Sequence, residues 1–250
     1  MKLYLIDIEV VLIGRQIVIH HYSANLIMIL SDYRIVEQLG EFNYIYKALD
    51  VNNRLVIIKK VKDNSDSARE VEYHQQLSNL SFIPTLYESF IENEYRYLVM
   101  ELIDYPSLHQ SWTENKSCNY YWVTVIHALR IIRELHNHDF YHGDLHLANL
   151  IWTGEKMYLI DFETMGTIDY ECSMNKQHRI NQKIRNDYDH ILNHKWIDNT
   201  VDDNWKRYQL LIDFSTSMSC EGFYQGEWVT YMDYADRVIE EYYRINAIIL

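Results

Sequence analysis

The chain is 250 residues long, with 48% hydrophobic and 24% charged residues, an ordinary mixture for one sizeable core or two small lobes. Its 23 lysines and arginines against 36 acidic residues leave a net charge of −13, which argues against a surface built to coat nucleic acid. The same charge does not exclude a nucleotide site, because such sites work through local cations and bound metal.

Residues 3 to 20 read as two strand-like runs, LYLIDIEVVLI and RQIVIHH, joined at Gly14–Arg15 and able to form a hairpin. RIVEQLGEFNYIYKALD and RLVIIKKVK follow as further strands, split by the turn-rich DVNN. SDSAREVEYHQQLSNL carries a helix signature: Ser65 or Asp66 can cap it, and Val71, His74 or Gln75 and Leu77 fall on one side. TLYESFIEN and YRYLVMELI return to strand character. After Pro106 the pattern changes, and Trp122, Ile126, Leu129, Ile132 and Leu135 form one helical stripe of the kind that faces a core. Past residue 165 the chain reads as mainly helical, ending in YMDYADRVIEEYYRINAI. A strand-rich first part and a helical second part, meeting near residue 104, predict two lobes with a cleft between them.

Cys118, Cys172 and Cys220 lie far apart, are odd in number and have no CxxC spacing, which fits free thiols in a reducing compartment. The opening MKLYLIDIEVVLIG is apolar but broken by Asp7 and Glu9, and no small-residue cleavage site follows. It is too short and charged to span a bilayer, so the expectation is a cytoplasmic protein without membrane insertion.

The chemistry concentrates in YHGDLHLANLIW, residues 141 to 152, and MYLIDFET, residues 157 to 164. Asp144 and Asn149 are five apart on a loop leaving a buried helix, and Asp161 follows a short strand that begins after the turn at Thr153–Gly154. Phosphoryl transfer needs oxygen ligands for a metal, the metal itself to neutralise phosphate oxygens, and a carboxylate near the attacking hydroxyl. An Asp, an Asn and a second Asp can supply those parts.

On these residues the chain resembles the protein kinase superfamily. ELHNHDFYHGDLHLANLIW is similar to that family's catalytic loop and the helix before it, and LIDFE to its metal-binding DFG segment. The resemblance implies an α+β, bilobal fold: an N-terminal lobe over residues 1–103, built on an antiparallel sheet with one helix, and a mainly helical C-terminal lobe over 104–250. Residues 1–30 would be a strand-rich extension of the first lobe. It further implies Asp144 as catalytic base, Asn149 and Asp161 as magnesium ligands, and a nucleotide lying over Ile151.

Upstream, LVIIKK is similar to the VAIK strand, making Lys59 the lysine on the α- and β-phosphates; strand alternation would turn Lys60 to the opposite face. Glu70 precedes Leu77 by seven, as the family's helix-C glutamate precedes its leucine, and would hold Lys59 by an ion pair with Glu72 as backup. YLVMELID resembles the strand into the hinge, with Met100 as gatekeeper and the backbone of Glu101 and Ile103 meeting the adenine. Gly40, in LGEFNYIYKA, stands in the place of the glycine-rich loop. The implied cofactors are ATP and Mg2+, and the implied acceptor is a Ser or Thr hydroxyl of a protein.

The chain also departs from the family. Only Gly40 survives of the glycine-rich loop, so fewer backbone amides would wrap the phosphates. Gly143 replaces the arginine that normally pairs with a phosphorylated activation loop, which argues against switching by such phosphorylation. Glu163 replaces the glycine of DFG, and no proline after Pro106 can form an APE segment. With His146 after the base, HGDxHxxN looks more like haspin-type and RIO-type atypical kinases, lipopolysaccharide-core kinases, and aminoglycoside or choline kinases. A small-molecule hydroxyl acceptor and a catalytically silent binding module are therefore the alternatives. A metal-hydrolase reading of His136, His138, His142 and His146 leaves Lys59, Glu70 and Asn149 unexplained; His136 and His138 read instead as polar groups serving carbonyls at the helix end. Asp187 and Asp189 are candidates for the structural aspartate of the large-lobe helix, with exposed helix charges as the plainer reading.

Overall fold

The computed structural model describes residues 2–4, 9–13, 16–20, 27–30, 32–39, 44–115, 117–169, 171–191 and 228–247. The chain divides into two compact units, Met1–Val71 with Pro84–Leu102, and Glu72–Ile83 with Ile103–Leu250.

The first unit is a sheet. Its strands in chain order are β1 (Lys2–Tyr4), β2 (Glu9–Ile13), β3 (Gln16–His20), β4 (Ile27–Leu30), β5 (Tyr33–Leu39), β6 (Ile45–Leu49), β7 (Leu55–Lys62), β8 (Leu86–Glu92) and β9 (Tyr95–Glu101). Seven of them form one sheet in the order β1-β4-β5-β6-β7-β9-β8, and every neighbouring pair is antiparallel. β2 and β3 pair as a separate hairpin across residues 14–15. The first apolar run is thus two strands rather than one, since β1 pairs with β4 and not with β3.

Alternation decides which side chains this sheet buries. Tyr46, Ala48, Val56, Ile58, Tyr97 and Val99 share one face and are buried together with Leu30 and Tyr33. The sheet rolls far enough for β5 to meet β8. The Tyr33 and Phe90 rings stack with centroids 6.4 Å apart, Phe90 stacks on Tyr97 at 5.1 Å, and the Tyr33 hydroxyl donates to the Glu88 carboxylate. Burial and that carboxylate push the Tyr33 phenol well above its ordinary range, so it stays a donor. The DVNN turn between β6 and β7 is made by Asp50, whose Oδ1 accepts the amides of Asn52 and Arg54 at 2.9 and 2.8 Å, with Asn53 at φ 59°.

Helix α1 (Ser65–Gln76) follows β7. Its cap is Asn64, not Ser65 or Asp66: Asn64 Oδ1 accepts the amides of Asp66 and Ser67, both at 2.9 Å, while Ser67 Oγ accepts the Asn64 amide at 3.1 Å. The reciprocal pair satisfies amides that a helix start leaves without intrahelical partners. Ser67, Glu70, Val71, His74 and Leu77 form the buried side of the helix.

The second unit is mainly helical. Its helices are α2 (Leu108–Glu114), α3 (Cys118–Asn137), α4 (Met174–Ile191) and α5 (Trp228–Ala247). Between α3 and α4 lie the short strands β10 (Phe140–Tyr141), β11 (Leu150–Trp152), β12 (Met157–Leu159) and β13 (Gly166–Thr167), with a 3-10 turn over Leu147–Asn149. β11 pairs antiparallel with β12, and β10 with β13. Ser107 caps α2 in a reciprocal capping box with Gln110, which starts a helix directly after the bend at Tyr105.

The stripe Trp122, Ile126, Leu129, Ile132 and Leu135 forms the spine of α3 and is buried throughout. Around it pack Leu108 and Trp112 of α2, Leu150 and Leu159, Ile180 and Ile184 of α4, and Ala235 and Val238 of α5. Trp112 satisfies its indole N–H on Thr124 Oγ1 at 2.9 Å, inside that core. The architecture is α+β, an N-terminal antiparallel sheet with a helix followed by helical segments, as the sequence led us to expect. Among the described residues no helix is long and apolar enough to cross a membrane.

Leu129 is fully buried. Leu129→Ala should cost about 2–5 kcal/mol through lost burial and the cavity left behind, read as a lower urea midpoint for loss of helical circular dichroism.

Candidate active site

The polar loop begins where α3 ends. His138 caps the helix, Asp139 takes a left-handed φ of 62°, and the two residues of β10 lead into His142 and Gly143. His142, Gly143 and Leu145 are buried, whereas Asp144 between them is exposed. The burial on both sides fixes the backbone from which this exposed carboxylate projects.

The anchor of the loop comes from α4. Asp187 is fully buried, and its carboxylate accepts two backbone amides, His142 N–H at 2.9 Å and Gly143 N–H at 3.0 Å. This overturns the expectation that Asp187 is an exposed helix charge. The signal was available: Ile180, Ile184, Tyr188 and Ile191 are buried on α4, and helical spacing puts Asp187 on their face. A carboxylate on an apolar stripe marks a buried acceptor with a specific partner.

His136 also differs from expectation. It does not serve helix-end carbonyls: it is buried, with Nδ1 3.0 Å from the Tyr188 hydroxyl and Nε2 3.6 Å from Asp187 Oδ2. Burial pushes the Tyr188 phenol far up, so the hydroxyl keeps its proton. The four histidines part company: His138 sits near Glu134 at 3.4 Å, His142 Nε2 lies 3.1 Å from the Ile160 carbonyl, and His146 Nε2 lies 3.3 Å from Asn149.

Gly143 is the glycine that geometry requires here. Its φ is +83°, and a Cβ would stand 2.6 Å from the Thr164 carbonyl oxygen. An arginine, the family's usual residue, does not fit this backbone.

Asn149 is buried, and its Nδ2 donates to the Asp144 carbonyl at 3.1 Å. With the amide nitrogen committed, Oδ1 is the atom that can serve as a hard-metal ligand. The Asn149 carbonyl accepts the Ile160 amide at 3.0 Å, which ties the 3-10 turn to the residue before Asp161. Asp161 itself is exposed and sits at φ 68°, a left-handed position that aspartate adopts more readily than most residues with a side chain. Phe162 beside it is buried between two imidazoles, with centroids 5.0 Å from His74 and 6.2 Å from His142, both edge-on. Asn149 is thus bonded to the Asp144 backbone and to Ile160, the residue before Asp161, on a segment that carries two exposed carboxylates and a carboxamide oxygen. That is a fitting donor set for a hard divalent cation. Ile151 is buried on β11, opposite Tyr158.

In the first unit, Lys59 Nζ lies 2.7 Å from Glu70 Oε1, with the two side chains 12% and 3% exposed. A pair so shielded holds the ammonium in a single position. Lys59 sits between Ile45 and Leu98 across the sheet, while Lys60 lies on the other face with its ammonium 4.1 Å from the Tyr95 ring centroid. Glu72 is exposed and accepts from Gln76. Met100 pairs with Ile57 and Leu86. The Glu101 amide donates to the Thr85 carbonyl at 2.8 Å, and its carboxylate accepts both the amide and the hydroxyl of Thr85. The Ile103 carbonyl accepts the Tyr105 amide at 2.9 Å. Gly40 lies outside the described residues.

The protein kinase domain model matches residues 33–180, more than half of the chain. The chain belongs to the protein kinase superfamily. The match begins at β5 and runs into α4. No curated protein sequence matches the chain. Membership identifies a kinase-type phosphotransferase scaffold.

Removing the Asp187 carboxylate would strand two buried amides, at about 1–3 kcal/mol each. Asp187→Ala should therefore lower the unfolding midpoint strongly. Asp187→Asn, which keeps one acceptor oxygen, should lose distinctly less in the same denaturation series.

Proposed function

We propose that the chain is an ATP- and magnesium-dependent phosphotransferase that moves the γ-phosphate of ATP to a Ser or Thr hydroxyl of a protein. The observation that carries this reading is the exposed Asp144 carboxylate on a buried, hydrogen-bonded loop, tied through Asn149 to Ile160, the residue before Asp161.

Asp144 orients the acceptor hydroxyl and takes its proton as the oxygen attacks the γ-phosphorus and the bond to the β-phosphate oxygen breaks, releasing ADP. Asn149 Oδ1 and the Asp161 carboxylate would hold the magnesium, which when bound neutralises charge on the phosphate oxygens. Lys59, held by Glu70, contributes its ammonium to the α- and β-phosphates. Met100, Glu101 and Ile103 would border the adenine, with Ile151 beneath it. The committed nitrogen of Asn149, which leaves Oδ1 as the ligand atom, and the exposure of Asp161 support the two metal-ligand assignments.

A small-molecule acceptor is the second reading, and one observation favours it. Only residues 162–173 separate Asp161 from α4. Part of that stretch is fastened down, with β13 paired to β10 and the Ile168 amide donating to the Asp139 carbonyl at 2.7 Å. Little chain is left to present a peptide-docking platform. Incubating the protein with a cell lysate and γ-labelled ATP, with proteins and metabolites resolved separately, decides between the two acceptors.

Asp144→Asn should reduce transfer by about 10²–10⁴-fold, the usual contribution of a general base, while ATP still raises the melting temperature. Wild-type protein whose melting temperature ignores ATP, with and without magnesium, would instead favour a binding module.

A further inference from the structure

Gly143 creates a mechanical problem for the loop it belongs to. Glycine is the most permissive backbone joint, and this one sits at φ +83° immediately before Asp144. The surrounding side chains fasten it from every side. The His142 and Gly143 amides go to Asp187, and the His142 carbonyl accepts from Thr164 Oγ1 at 3.0 Å. The Gly143 carbonyl accepts from Lys183 Nζ at 2.8 Å. That last carbonyl belongs to the peptide plane whose nitrogen is Asp144, so its orientation sets the direction in which Asp144 leaves the backbone.

Lys183 stands on α4 one turn before Asp187, and the two residues clamp the two sides of one glycine. In a chain with 36 acidic residues, exposed lysines commonly find carboxylates, as Lys176 does with Asp169 at 2.9 Å. Among the described residues Lys183 forms no ion pair, and its ammonium is spent on a backbone carbonyl. A charged donor on a carbonyl is a stronger restraint than a neutral one.

We propose that Lys183 is a positioning residue for Asp144. It delivers from α4 the positive charge that the sequence lacks at 143, and it holds the Asp144 peptide permanently rather than on condition of a phosphorylated segment. The inference rests on Asp144 being the base.

The test uses the full chain and magnesium-ATP hydrolysis with water as acceptor. Lys183→Met should lower kcat roughly 10- to 100-fold, the scale of a small misplacement of a catalytic group. The KM for ATP and the melting temperature should stay at wild-type values, and Lys183→Arg should recover most of kcat. Asp144→Asn run in parallel separates the two claims. If it hydrolyses ATP like wild type, the assignment of the base fails. If it is inactive while Lys183→Met matches wild type, the positioning role fails. A Lys183→Met loss accompanied by a lower melting temperature and no recovery in Lys183→Arg also overturns it, as a purely structural effect. Should the wild type hydrolyse nothing, amide hydrogen exchange decides. The segment 140–146 should exchange faster in Lys183→Met than in wild type with α5 unchanged, and equal rates overturn the proposal.

Discussion

The second unit is organised around one buried carboxylate. Asp187 is fully buried, and two backbone amides converge on its carboxylate with the His136 ring beside it. Those amides belong to residues on either side of a single peptide link in the polar loop. The helix that fills the core with Ile180, Ile184 and Ile191 thereby also dictates the path of the chain at Gly143. Packing and site geometry are the same constraint here. The loop cannot drift without either burying an uncompensated charge or pulling a helix out of the core.

The first unit solves a related problem with a sheet. A lysine and a glutamate are both shielded from water, and each is acceptable because the other is 2.7 Å away. The glutamate is set by a helix that Asn64 starts and by an apolar side that includes Val71. The lysine is set by pleating, which puts Lys59 and Lys60 on opposite faces although they are neighbours in sequence. Rolling the sheet until Tyr33 meets Phe90 and Glu88 gives the apolar face its own closed core.

Much of this was legible in the sequence, because period and punctuation report local physics. The α3 stripe, the DVNN turn and the alternation in LVIIKK each specify an element without reference to distant residues. The order of lysine, glutamate, hinge, loop aspartate and second aspartate carried the family. What sequence reading missed depends on which face a polar residue occupies. Asp187 and His136 look like solvated helix residues when judged by type, and they are buried because tertiary packing surrounds them with partners. Asn64 was overlooked as a cap because two further capping residues follow it directly. Lys183 had no local signal, since its partner is a carbonyl forty positions earlier.

Gly166 and Tyr141 face one another across the small β10–β13 ladder, and the phenol hydroxyl occupies the space where a Cβ on Gly166 would lie. Position 166 is the constrained one of the two. A lineage that gains a side chain at 166 must first shorten the tyrosine or turn its ring away from the β10–β13 ladder. The two sites therefore form an evolutionary ratchet, in which the order of substitutions is imposed by steric exclusion.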